Sequence, residues 1–99
     1  MLLAIKILIK SIKIANKLNE VLSDIAPVLS EIQQDDIRIY ISAGEWLLAL
    51  ETLCEFLIED EFPITLKTYL LFQEIEDLMG GKCLVNKMEY LKEQIQHRE

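Results

Sequence analysis

The run from Gly44 to Glu61, GEWLLALETLCEFLIEDE, constrains this chain more than any other stretch. Leu47, Leu48, Leu50, Leu53, Cys54, Phe56, Leu57 and Ile58 leave so few polar positions that a helix here is apolar around most of its circumference. Such a helix is stable in water only when its neighbours cover it, so the rest of the chain is expected to pack around a central helix near residues 45–60. Burial of these side chains is worth about 12 to 24 kcal/mol in total, at ~1.5 to 3 each. One strip departs from the pattern: Glu51, Glu55 and Glu59 recur every four residues, and Asp60 and Glu61 extend the line. Like charges at that spacing cost about 0.2 to 0.5 kcal/mol per pair, far less than the burial supplies. The helix tolerates an acidic face that does nothing for its own stability.

Around this centre the chain reads as all-helical. Its 99 residues are 52% apolar, spread throughout, which predicts a single domain over residues 1–99 with a core of its own. Only three Gly and two Pro interrupt it, favouring a compact bundle of about five helices over a many-stranded sheet. From Leu2 to Leu22 the apolar period is helical, and Lys6, Lys10, Lys13 and Lys17 share an arc of about 60°. A basic amphipathic helix of this kind can lie on an anionic membrane. The acidity of the remaining chain opposes that, and the stretch is read instead as a core helix with a lysine face.

Asp24 and Pro27 predict a bend between Ser23 and Ser30. Ser30 with Gln33 has the spacing of a capping box and opens a second helix to Ser42. Within it Ile37, Arg38, Ile39, Tyr40 and Ile41 also suit a strand, but no partner strand is evident. Gly44 then lets the chain turn. Phe62 and Pro63 end the central helix, and Thr65 caps a fourth that carries Leu66, Tyr69, Leu70, Phe72, Ile75, Leu78 and Met79 to a stop at Gly80 and Gly81. A last helix is predicted over Leu84 to Gln96, with Leu84, Met88, Leu91 and Ile95 on one face and fraying from His97.

The net charge of −7 is unevenly placed: +3 over residues 1–22, −9 over 23–61, −2 over 62–81 and +1 over 82–99. An acidic middle repels nucleic acid and attracts a basic partner. Catalytic groups are scarce. His97 is the only histidine and sits two residues from the end, no phosphate-binding glycine loop occurs, and the glutamate line has no histidine beside it. No enzyme activity, metal or cofactor is expected. Cys54 and Cys83 lack metal or redox spacing and read as reduced, packed thiols, suited to the cytoplasm. No run of about 18 uncharged apolar residues occurs, and lysines within the apolar N-terminus, with no small-residue cleavage site after it, do not fit a signal peptide. Trp46 is either a core residue, the more usual role in a small helical domain, or a binding hot spot. The candidate partner-binding residues are Asp35, Asp36, Glu45, Trp46, Glu51, Glu55, Glu59, Asp60 and Glu61.

Ser42-Ala43-Gly44-Glu45-Trp46, Leu48-Ala49-Leu50-Glu51, Leu53-Cys54 and, after the acidic run, Phe62-Pro63-Ile64 with Tyr69 together resemble the small helical immunity proteins of the MafI type, akin in character to those of contact-dependent growth inhibition systems. The resemblance covers about residues 35 to 80 and omits the lysine-striped first helix and the last helix. It implies a cytoplasmic bacterial protein that binds and neutralises a cognate secreted toxin domain, often a ribonuclease such as an EndoU-type enzyme, and is not itself an enzyme. Gly44, Leu50, Leu53, Cys54 and Pro63 match as scaffold, so the resemblance does not single out contact residues. The alternative is a structural or adaptor bundle, a homodimer joining the lysine stripe of the first helix to the acidic strip of the third.

Overall fold

The computed structural model describes residues 2–84 and 86–95, and among them five α-helices form an all-α bundle. They are α1 (Leu2–Ile25), α2 (Glu31–Ser42), α3 (Trp46–Glu59), α4 (Leu66–Leu78) and α5 (Lys87–Glu93), with a single 3₁₀ turn at Ala26–Val28. Strand-like pairing among the described residues is limited to one isolated bridge between Ile64 and Ile95. Residues 37–41 are helical, with Ile37 and Ile41 buried on the inner side of α2.

The local signals act where the chemistry places them. The bend falls at Pro27 inside the 3₁₀ turn, while α1 itself runs on through Ser23 and Asp24. Gln34 anchors that bend, its amide donating to the carbonyls of Ala26 at 3.1 Å and Leu29 at 3.2 Å. Ser30 and Gln33 form the reciprocal capping box, at 2.9 and 3.1 Å, so two donors of the first turn of α2 are satisfied. Thr65 caps α4 through the Thr68 amide at 3.1 Å.

α1 and α4 run antiparallel. Asp24, at the end of α1, faces Lys67 at 3.7 Å and accepts from the Thr68 hydroxyl at 3.4 Å, while Lys17, two turns earlier, pairs with Glu74 further along α4. α2 packs on α1 and α3, and α5 closes the bundle against α3 and α4. On α3, Ala49, Leu50, Leu53, Cys54 and Leu57 are fully buried.

Three expectations need correction. α3 is covered on one side rather than all round: Leu47 and Leu48 are exposed, and Phe56 and Ile58 half-buried. The last helix is shorter than predicted. Leu84 is buried but lies in the preceding loop, its amide donating to Glu76 Oε2 at 2.8 Å, and Ile95 leaves the helix to pair with Ile64. The predicted fraying from His97 falls outside the described residues. Most consequentially, α1 is a core helix only from Ile14 onward. Leu2, Leu3, Ile5, Ile7, Leu8, Ile9 and Ile12 are all exposed, from 48% at Ile9 to 70% at Leu3.

Candidate functional site at the α3–α5 corner

Three helices of this chain end in one backbone device, and the exception among them marks the site. At the ends of α2 and α4 the second residue past the helix is a glycine with positive φ, Gly44 at 74° and Gly80 at 110°. Each is framed by paired bonds from the amides that follow to the last turn: Glu45 to Tyr40 at 2.9 Å with Gly44 to Ile41 at 3.1 Å, and Gly81 to Glu76 at 2.8 Å with Gly80 to Asp77 at 3.2 Å. These are Schellman closures, which favour glycine because a Cβ is unwelcome at that φ. α3 ends identically, with Phe62 to Leu57 at 3.0 Å and Glu61 to Ile58 at 3.2 Å, but the positive-φ residue is Glu61, at 50°.

A second cost coincides with the first. Glu59, Asp60 and Glu61 crowd a helix C-terminus that has no basic residue in its last turn, where the helix dipole disfavours negative charge by about 0.3 to 1 kcal/mol per group. The corner is nevertheless held firmly from α5. The side-chain amide of Gln94, which follows α5, donates to the carbonyls of Leu57 at 2.8 Å and Phe62 at 2.7 Å, and the backbone amide of Ile64 donates to the backbone carbonyl of Gln94 at 3.0 Å.

The glutamate line faces α5. Lys87 Nζ lies 3.8 Å from Glu51 and 3.4 Å from Glu55, so one cation serves two carboxylates and relieves the repulsion expected from their spacing. Among the described residues, Glu59, Asp60 and Glu61 have no ion pair within 4 Å, which makes this end of the strip its most negative part. Two shallow grooves meet there. One is lined by Glu55, Ile58, Glu59, Lys87 and Tyr90, the other by Ile58, Glu61, Pro63, Tyr90, Glu93 and Gln94. Ile58 and Tyr90 are common to both, and Tyr90 is 57% exposed. The result is an apolar, aromatic centre with an acidic rim, the arrangement of a protein-binding patch.

The remaining sequence candidates stand apart. Asp35 is exposed on α2 and paired with Arg38 at 3.0 Å, and Asp36 is exposed beside it. Among the described residues no hydrogen bond or ion pair links either of them to the α3 strip. Glu45 is the exposed residue preceding α3 and makes no side-chain cap. Trp46 is half-buried against the core, and a Cβ built on Gly44 would meet its ring at 3.9 Å. The three glutamates stay strung along α3: among the described residues no three potential ligands gather as a metal site requires. Cys54 is a buried free thiol whose ionisation burial pushes far up, whereas Cys83 is half-buried and directs its thiol at the Met79 carbonyl.

Tyr90, Ile58, Lys87 and Glu93 were not legible as site residues from the strip alone. The available signal was that Tyr90 falls off the Leu84, Met88, Leu91 and Ile95 face of the last helix, a large aromatic with no core position to fill. No protein-family model, curated protein or solved structure matches this chain.

Proposed function

We propose that this chain is a non-catalytic binding protein of the immunity type, which captures a basic toxin domain, a ribonuclease of the EndoU kind, and blocks its cationic active-site cleft. The observation that carries the proposal is the α3–α5 corner, where Glu59 and Glu61, without an ion pair among the described residues, line the two grooves that share exposed Tyr90, at a cost in helix stability. Strained backbone of the kind seen at Glu61 clusters at ligand-contact sites. Phosphate-binding clefts are cationic, so an acidic rim both steers the encounter and fills the cleft, while Tyr90 and Ile58 supply the desolvated centre. The resemblance over residues 35–80 supplies the kind of partner.

Co-expression with a secreted ribonuclease toxin domain of the EndoU kind, taken from a neighbouring gene where one is found, tests the proposal, with growth as the readout. Wild type should restore growth, and Glu59→Lys with Glu61→Lys should abolish protection while leaving the helical circular dichroism unchanged. Growth arrest in the presence of wild type would overturn the function. The corner itself is tested by association kinetics at low and high salt. Glu59→Gln with Glu61→Gln should slow association and flatten its salt dependence more than Glu51→Gln with Glu55→Gln, because Lys87 already offsets the latter pair. Equal effects of the two pairs would remove the corner from the contact.

A further inference from the structure

We infer that one face of the exposed first three turns of α1, the face away from Leu3 and Ile7, forms a self-complementary seam on which a second copy of this chain docks antiparallel. Ile5, Leu8, Ile9 and Ile12 are exposed and spaced i, i+3, i+4, i+7, one continuous line on a helix. Continued along α1 the same line reads Asn16, Asn19, Glu20 and Ser23, so the apolar seam stops where the helix enters the bundle. It is distinct from the core line of Ile14, Leu18, Val21 and Ile25, which lies on the opposite side of the helix.

The seam's spacing lets a second copy of the same seam match it. Residues 5, 8, 9 and 12 are symmetric about the point midway between 8 and 9. A two-fold axis there sets Ile5 against Ile12 of the second copy and Leu8 against its Ile9, the self-matching that an isologous interface requires. With Leu2 at its edge the seam consists of five side chains 48 to 68% exposed, so a pair formed through it is small for a specific interface and its formation depends on concentration. Lys6, Lys10 and Lys13 lie about 120° around the helix from the seam's centre, so pairing buries none of them. The antiparallel sense also sends the two acidic bodies to opposite ends. An anionic membrane, by contrast, repels a body that carries −9 over residues 23–61, and Lys17 is already held by Glu74.

Sedimentation equilibrium of the whole chain over a concentration series is the test. Wild type should approach twice 11.5 kDa, and Ile5→Gln with Ile9→Gln should remain at 11.5 kDa with unchanged helicity. Orientation is read in a Cys83→Ser background, where Leu8→Cys should form a cross-linked dimer on oxidation and Leu2→Cys should not. Wild type that stays monomeric up to its solubility limit overturns the inference, as does cross-linking through Leu2→Cys, which marks a parallel pair. Cosedimentation of a monomeric wild type with phosphatidylglycerol vesicles, lost in the Ile5→Gln and Ile9→Gln variant, would assign the seam to a lipid surface instead.

Discussion

In α3 the side chains of Leu50, Leu53, Cys54 and Leu57 are fully buried, whereas the first three turns of α1, just as dense in leucine and isoleucine, bury none of theirs. Length explains the difference. At ~1.5 Å per residue α1 is about 36 Å long, while α2, α3 and α4 reach only about 18 to 21 Å. The neighbours that cover α3 end before they can cover the start of α1, and the molecule measures 47 × 26 × 24 Å as a result. An apolar pattern states that a surface must be covered. Connectivity and element length decide whether the same chain can cover it.

The contrast breaks most visibly if a buried position on α3 proves dispensable. Leu53→Ala should cost about 2 to 5 kcal/mol, since Leu53 is 0% exposed on a helix that α1, α2 and α5 all contact. Denaturant unfolding measures it, and a loss under about 0.5 kcal/mol would place Leu53 among surface positions and remove α3 from the centre of the fold.

A smaller effect gauges how dry that centre is. Burial pushes the Cys54 thiol far up, opposed by Lys87 and reinforced by Glu76, Glu51 and Glu55. The sign follows from linkage. Above about pH 8.5 the unfolded chain loses the thiol proton and the folded one keeps it, so stability present at neutral pH falls as pH rises, by up to about 1.4 kcal/mol per unit from this group. Comparing wild type with Cys54→Ala between neutral and alkaline pH isolates the slope, which the variant should lack. Equal slopes would mean that water reaches the thiol.

Much of this was legible in the residues. Ser30 with Gln33, Pro27, Gly44, Pro63 with Thr65, and Gly80 each fixed an element end by local chemistry, and local chemistry is what a sequence displays. The glutamate line on α3 was equally plain from its four-residue period. Its neutralisation by Lys87 was not, because the pairing spans more than thirty residues and depends on where α5 docks. Tyr90 shows in the sequence only as an aromatic off the core face of the last helix, and its place beside Ile58 depends on the same docking. The exposure of the first half of α1 is not visible in the sequence, because a lysine stripe beside an apolar face describes a covered helix and an uncovered one equally well.

The corner of α3 extends the comparison to helix ends. Gly44 and Gly80 close their helices without strain, and Glu61 does not, so Glu61→Gly should stabilise by about 1 kcal/mol through relief of the left-handed backbone and loss of a charge from the helix C-terminus. Glu61→Gln removes the charge alone and should recover less. Thermal unfolding of both variants separates the contributions, and a Glu61→Gly variant no more stable than wild type would show that the Gln94 clamp already compensates the strained turn.

The smallest effect is expected at the other pole of the comparison. Leu8→Ala removes as many methyl groups as Leu53→Ala, yet Leu8 is 60% exposed and contributes nothing to the core cluster. With no cavity to open and little transfer free energy to lose, the change should fall within about 0.5 kcal/mol in dilute solution, and alanine's better helix propensity works against any loss. Leu18→Ala on the same helix should cost about 2 to 5 kcal/mol, because Leu18 is fully buried ten residues further on. Urea unfolding at several protein concentrations makes the measurement clean. A loss at Leu8 that grows with concentration reports a covered seam in an assembly. A large loss independent of concentration would mean that the first turns of α1 fold back onto their own bundle, and the two poles would then be one.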